Sequence, residues 1–552
     1  MQGSIAENII KRQESLAGMR SNWESLWQDV ADKVSPGKGF STTKTPGQRN
    51  EQVIFDSTAV SDSDKFASVM ESMLTPRAQK WHSLKPKNPD LENNQDVMEW
   101  CEYVTDMLFS LRYSARANFA GQFHEAFLSL GNFGTGAVYI ADEEGVGIRY
   151  KSIYLGELYI SENSHGFIDT VYRKYTMSPQ QAVAEYGEDN NALPKKLLDD
   201  FKQGKYDTLY CFIHAVVPQY DAQEKLPPGM RWASYHVSVD EKTLVRKPSG
   251  YFSFPYAIGR YVTEPGEIYG RGPGITVLAD IKTVNQMNKA NLWAAEMAVT
   301  PPLLAPTADN LMGGVKFSPR AVNYGGMSMD GRPLIAPVNM GANLPFGLEA
   351  MEQKSRVIDD AYLVTLFEIL VREPGMTATE ALLRAQERGM LLAPILGRMQ
   401  AEMISPTVER ELDIISRAGL LPPPPQELLD SGGVLLNIEY DAAINRVQRS
   451  EEATAIMQTI EMVAPMAQID PAVTKLFKFV EVGRELANIN GMPAKLLNTP
   501  EDVYAMMQAE QQAQAMQQML QAAPAMTQSV KDVAEAGKIE AEAANIQQAG
   551  TV

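Results

Sequence analysis

The sequence predicts an α+β protein that is predominantly helical. Apolar and polar residues alternate over 145–177 and 206–262, as in "VGIRYKSIYLGELYI", which is the pattern of half-buried strands. Over 13–34, 273–298, 347–370 and 377–418 the apolar residues recur instead at steps of three and four, the pattern of amphipathic helices. Strand patterns concentrate in the first half and helical ones dominate the second, so the two halves follow different plans. At roughly 100 to 200 residues per unit, 552 residues suggest three to five units.

Gln13 to Val34 carries Leu16, Met19, Trp23, Leu26, Trp27, Val30 and Val34 on one helical face and stops at Ser35-Pro36-Gly37. A polar, turn-rich segment follows. Helical periodicity resumes in "IFDSTAVSDSDKFASVMESMLTP" after an Asp56-Ser57 cap. "WHSLKP" is extended, and Val97 to Leu130 holds two helical patterns. After "GNFGTG" the strand patterns begin, interrupted by a helical stretch from Pro179 to Phe201.

In the second half a helix from Pro273 to about Ala298 precedes a Pro/Gly-rich strip, Thr300 to Pro345, with short strand candidates "PPLLAP", "AVNYGG" and "RPLIAPV". Polar residues (Asp280, Lys282, Asn285, Gln286, Asn288, Lys289) line one side of that helix, and Leu278, Ile281, Val284 and Met287 the other. A second helix runs from Gly347 to about Leu370 and ends at "REPGM". Thr377-Ala378-Thr379-Glu380 is a capping box heading a long helix to about Ala418, with kinks expected at Pro394 and Pro406. "GGVLLNIEY" is one more strand, the chain is helical from about Ser450, and the Gln/Ala/Met-rich end from Ala505 reads as a marginal helix or a disordered tail.

Composition excludes several function classes. A net charge of −18 argues against a surface that grips nucleic acid throughout, because Lys and Arg neutralise phosphate. Cys101 and Cys211 cannot build a disulfide framework, and all five histidines precede Glu241, so His chemistry is confined to the N-terminal half. Neither a signal peptide nor an apolar stretch of about 18 residues is present, so neither export nor membrane spanning is expected.

Chemistry-bearing motifs fail on detail. Gly270-Arg271-Gly272-Pro273-Gly274 resembles a dinucleotide fingerprint, but its glycine spacing is wrong and Pro273 removes a phosphate donor, so a turn with Pro at the first helical position is expected. Gly131 to Gly136 lies between a helix and a strand, the wrong order for a phosphate cradle. Pro36-Gly37-Lys38-Gly39 lacks the rest of a Walker loop. Adjacent carboxylates at Glu143-Glu144, Asp199-Asp200, Asp359-Asp360 and Glu451-Glu452 diverge on a helix and read as solvated faces. His214, in "YCFIHAVV" beside Cys211, reads as a buried sheet histidine. No catalytic residue, cofactor site or metal site is expected.

"FDSTA" with "FASVMESMLTP", then "YGRGPG" with "ADIKTVNQMNKANL", and finally "MTATEALLR", resemble in order the portal, or head-to-tail connector, proteins of T7-like short-tailed bacteriophages. The resemblance implies a phage portal fold: a ring, expected to be a dodecamer, with wing, stem, clip and crown around a central channel. It lays the wing on residues 1–268, the first stem helix on 269–298, the clip on 299–346 and the second stem helix on 347–370. A tunnel loop falls on 371–376, a kinked wing helix and return strand on 377–449, the crown on 450–500, and a barrel helix or tail on 501–552.

By the same resemblance Arg372, Glu373, Pro374, Gly375 and Met376 are the channel candidates, with Arg372 the basic one, and Gly270, Gly272, Pro273 and Gly274 turn the chain into the stem. The implied function is non-enzymatic: passage of double-stranded DNA at one capsid vertex of the virion, with assembly in the host cytoplasm. Implied partners are further copies of the chain, terminase, the major capsid protein, scaffold, tail or adaptor proteins and internal core proteins, with no membrane. A DNA-processing enzyme and a tail or scaffold ring without a DNA channel are the competing readings.

Overall fold

The structure is a computed structural model that describes residues 2–35, 54–143, 147–188, 190, 192–224, 226–299, 303–304, 328, 330–332, 336–337, 344–365, 392–430, 436–440, 443–469, 473, 476–489, 492, 496–498 and 502–515. It divides into two compact units. Met1–Leu84, Val104–Pro423 and Ile438–Ile444 form the first, and Lys85–Tyr103, Pro424–Asn437 and Asn445–Val552 the second.

In the first unit α1 (Gln2–Val34) starts well ahead of Gln13, because Ile5, Ala6, Ile9 and Ile10 continue its apolar stripe into a core shared with Tyr159, Tyr172, Tyr235 and Val237. Next, α2 (Thr58–Leu74) buries Ala59, Asp62, Ser63, Phe66, Ala67, Met70 and Leu74. Its N-cap Ser57 makes no side-chain capping bond; the Asp56 carboxylate instead accepts from Thr58 N and Oγ1, at 3.3 and 3.1 Å. Strand β1 (His82–Pro86) and helix α3 (Gln95–Arg112) lead to α4 (Phe119–Phe133), which is capped by Gly134 in the left-handed region at φ 78°. Only glycine enters that region without a Cβ penalty.

Strands β2 (Thr135–Glu143) and β3 (Gly147–Ser152) pair antiparallel. A six-stranded sheet follows, from β4 (Leu158–Glu162), β5 (Ile168–Met177), β6 (Tyr210–Pro218), β7 (Trp232–Ser238), β8 (Thr243–Leu244) and β9 (Ser249–Tyr251), in the order β4-β5-β6-β7-β8 with β9 also on β7. Strand β10 (Tyr256–Arg260) returns to β2, giving the order β10-β2-β3. The stretch expected as one helix after β5 is two, α5 (Pro179–Tyr186) and α6 (Lys195–Lys202), because Gly187 at φ 89° ends the first.

The helix expected from Pro273 also divides. One turn, α7 (Pro273–Thr276), ends where Val277 leaves helical geometry at φ −101°, ψ 16°, and α8 (Leu278–Val299) follows. Within the strip beyond it, β11 (Leu303–Leu304) pairs with β12 (Ala336–Pro337). Helix α9 (Leu344–Ala361) is interrupted where Tyr362 turns into the core and Leu363 sits in the left-handed region at φ 63°; Val364 and Thr365 are helical again, and the expected end near Leu370 lies outside the described residues. Residues 366–391, with the expected tunnel loop and the Thr377 capping box, lie outside the described residues.

Helical residues 392–399 pass into a π turn, Gln400–Ile404, and then α10 (Ser405–Arg417). Pro406 accounts for the irregularity, since its ring crowds the carbonyl four residues back and its nitrogen donates nothing. After α11 (Gln426–Asp430), the strand expected over 432–440 is β13 (Leu436–Tyr440).

Most of the second unit's described residues are helical. Helix α12 (Ala443–Ile469) carries Pro465 in its interior, α13 (Phe479–Ile489) follows, and 502–515 are helical again. Gln95 Nε2 donates to the Leu497 carbonyl at 2.9 Å and joins distant parts of the chain within this unit.

Candidate functional site

Two of the stretches singled out in the sequence meet. On the polar face of α8 the Asn285 Oδ1 accepts from the backbone N–H of Phe55 at 2.7 Å and of Asp56 at 3.3 Å, while Asn288 Nδ2 donates to the Phe55 carbonyl. Lys289 lies 5.5 Å from the centroid of the Phe55 ring. The opposite face buries Ile281 and Val284. The first two residues of "FDSTA" therefore dock by their backbone on two amides set three residues apart, about one helical turn. Ion pairs add to the helix surface: Lys282 Nζ to Asp29 Oδ2 of α1 at 2.8 Å, and Lys354 Nζ of α9 to Asp280 Oδ1 at 2.6 Å. The last joins α8 to α9.

At the root of α8 the two glycine-rich stretches press backbone to backbone. A Cβ on Gly270 would stand 2.3 Å from the Gly134 carbonyl oxygen, and one on Gly272 would stand 2.5 and 2.6 Å from the Leu130 and Gly131 oxygens. On Gly274 it would meet the Asn132 oxygen at 2.7 Å and the Tyr362 hydroxyl at 2.8 Å. Gly270 N donates to Thr135 Oγ1 at 3.0 Å, and Tyr261 N to the Gly134 carbonyl at 3.0 Å. Pro273 is buried among them.

The place where a phosphate would sit is thus filled by residues 130–135. None of Gly270, Gly272 and Gly274 has φ in the left-handed region. What glycine supplies at all three is the missing Cβ, which allows two main chains to touch. A sequence reading of either stretch alone gives a turn; that each is glycine-rich because of the other is visible only in three dimensions.

Asn132 gathers further elements into this clamp. Its Oδ1 accepts from Ser63 Oγ of α2 at 2.8 Å and from the Tyr362 hydroxyl at the end of α9 at 3.4 Å. The Phe66 ring stands edge-on to Tyr261 and Tyr362, at 5.6 and 6.2 Å between centroids. Burial raises the Tyr362 hydroxyl above its ordinary range, so it stays a neutral donor.

Two charge networks, each built on a buried arginine, lie elsewhere in the first unit. Arg112 NH2 pairs with Glu411 Oε2 at 2.5 Å, and Nε with Oε1 at 3.0 Å; Tyr150 donates to the same carboxylate, and the guanidinium lies over Trp81 at 4.4 Å. Both side chains are fully buried. Beside them His82 is held neutral by burial, with the Arg112 charge acting in the same direction. In the second network Arg260 reaches Glu402 of the π turn at 2.8 Å and also Glu162. Sequence reasoning missed both, since each pairs residues far apart in the chain.

His214 is the buried sheet histidine expected: it stacks on His236 at 4.4 Å between centroids and bonds Tyr256 and Ser234 at 2.9 and 3.1 Å. Asp359, expected on a solvated face, lies against buried Asp62 instead. Its neighbour Asp360 is exposed, as expected. The channel candidates Arg372, Glu373, Pro374, Gly375 and Met376 fall outside the described residues, as do residues 36–53 with their Gly-Lys pair. Among the described residues no group of His, Cys, Asp and Glu is arranged to hold a metal ion, and no helix is long and apolar enough to cross a membrane.

A family model described as bacteriophage head to tail connecting protein matches residues 6–497. The chain belongs to this family. It is a portal protein of the phage head-tail connector.

The chain is similar to the probable portal protein of Bordetella phage BPP-1, 26% identical over 526 residues that cover 92% of each chain. It is also similar to the portal protein of Salmonella phage epsilon15, 26% identical over 526 residues that cover 93% of this chain and 92% of the relative. Among solved structures, a chain in the neck of an empty GTA particle aligns over 73% of this chain and 86% of its own, at 12% identity and a TM-score of 0.36, too distant to carry an argument.

Proposed function

We propose that copies of the chain, twelve expected, close into a ring at one capsid vertex and that double-stranded DNA enters and leaves the head through its bore. The observation that supports this most directly is the docking of Phe55 and Asp56 on Asn285 and Asn288, because it joins two of the stretches by which the sequence resembles portal proteins. In this reading α8 and α9 are the paired stem helices, the strip between them is the clip, and the glycine clamp is the joint between stem and wing. Residues 371–376 form the tunnel loop, and Arg372 contributes a ring of positive charge. The C-terminal helices form the crown.

Acidity suits such a conduit. With −18 on each copy, a bore lined by acidic groups repels duplex DNA, which carries about one negative charge per 1.7 Å, and repulsion from every side favours sliding over sticking. Chemistry is left to others: terminase docks on the ring to drive packaging, tail or adaptor proteins take its place afterwards, and the capsid protein, scaffold and internal core proteins surround the ring as it nucleates a procapsid in the host cytoplasm. Electron microscopy of the purified chain tests this. End-on views of a ring with a central hole are expected, whereas monomers that hydrolyse nucleotide would replace this reading with that of a processing enzyme.

A further inference from the structure

The end of α9 is held against α2 by an arrangement that the connector role leaves unexplained. Asp62 lies on the buried face of α2, one turn before Phe66, and Asp359 lies on α9, one turn before Tyr362. The Phe66 and Tyr362 rings stand edge to face at 6.2 Å between centroids, which sets the end of α9 against α2, and there the Asp359 carboxyl lies within hydrogen-bond reach of Asp62. Asp62 is only 1% exposed; Oδ1 accepts from Lys65 Nζ at 3.1 Å, and Oδ2 finds no N–H or O–H donor among the described residues. Just beyond, Leu363 holds a left-handed conformation that costs a branched side chain about 1–2 kcal/mol.

We propose that Asp62 and Asp359 share one proton, forming a latch between α2 and the end of α9, and that loss of the proton to solvent frees that end. Two ionised carboxylates this close repel, and the orphaned Oδ2 is where a protonated Asp359 donates. Burial first, then the hydrogen bond and charge of Asp62, push the Asp359 carboxyl up to about 7; Lys65 opposes this and Asp360 adds to it. Tyr362, the remaining titratable group at the contact, stays neutral. An ordinary Asp ionises near 3.8, so between about 4 and 7 the closed latch keeps a proton that the open form has lost. Latch stability therefore falls as pH rises through that window and levels off above about 7.

Hydrogen exchange of the full chain, corrected for the intrinsic rate at each pH, tests the latch at residues 358–365 and 59–66. Protection there is expected to drop about tenfold per pH unit between about pH 5 and 7 and then to level off. Asp359→Asn, nearly isosteric and a permanent donor, is expected to abolish the slope while keeping wild-type protection at pH 5, and Asp62→Asn to flatten it likewise. A flat wild-type profile, or the same slope in Asp359→Asn, overturns the proposal. So does recovery of protection at pH 8 on adding magnesium ions, which would make the pair a cation site. None of these results bears on the portal reading, since the latch rests on the contact between α2 and α9 alone.

Discussion

Replacing Gly272 by Ala tests the idea that the glycine clamp is a place where two main chains must touch. Gly272 has φ −96°, ψ 171°, an extended conformation open to any residue, so alanine introduces no backbone strain. Everything then depends on the added methyl, which would stand 2.5 Å from Leu130 O, 2.6 Å from Gly131 O and 2.8 Å from Gly134 N. All three are backbone atoms, two of them in the last turn of α4, and no rotamer change moves them aside. Overpacking in a filled core costs typically 1–3 kcal/mol, so three unrelievable contacts place the cost at about 3 kcal/mol or more. At about 2 °C per kcal/mol for a large domain, thermal unfolding should shift down by about 6 °C.

Gly18 in α1 is the control, because nothing lies within 4 Å of its would-be Cβ. Gly18→Ala should stabilise by about 0.5–1 kcal/mol through helix propensity. Both variants are compared with the wild type by circular dichroism in the same assembly state. If Gly272→Ala unfolds within a degree of the wild type, the clamp is not a close approach and the account of these glycines is wrong.

Burial depresses His236 to about 4, with Arg246 adding to the effect, and holds His214 well below 6.5. Both therefore bind protons more weakly in the folded state, so stability is full above about 6.5 and falls as pH drops toward 4, by about 1.4 kcal/mol per pH unit per proton; urea midpoints at a series of pH values should show this slope, reduced in His236→Gln. Asn285→Ala removes the acceptor for two backbone N–H groups and should cost about 1–3 kcal/mol, read as faster hydrogen exchange at Phe55 and Asp56 with the rest of α8 unchanged. Glu411→Gln leaves the fully buried Arg112 charge without its counter-ion and should cost about 3–5 kcal/mol, measured by denaturant unfolding.

Much of the fold was legible because periodicity is local. The strands of the six-stranded sheet and the helices α2, α4, α8 and α9 fall where alternation or three-and-four spacing put them. The errors are local too: α1 begins early because Ile5, Ile9 and Ile10 extend a stripe that the tryptophans further on overshadow, and α9 breaks at Tyr362, which finds a buried partner in Asn132. No helical period reports a tertiary hydrogen bond.

The candidate site was legible only in pieces. "FDSTA", the amides of α8 and both glycine stretches stood out, but their contacts join residues well over a hundred positions apart in the chain. One signal was available and passed over. Asp62 interrupts the apolar stripe of Ala59, Phe66 and Met70, and a carboxylate in such a stripe needs a buried partner.

The measurement that tests the portal reading most directly is an asymmetric cryo-electron microscopy reconstruction of phage particles that contain this chain. The account predicts one ring of copies at a single vertex, between head and tail, with DNA density along its axis. Copies at many vertices, or stacked along a tail tube with no DNA on the axis at the vertex, would contradict it.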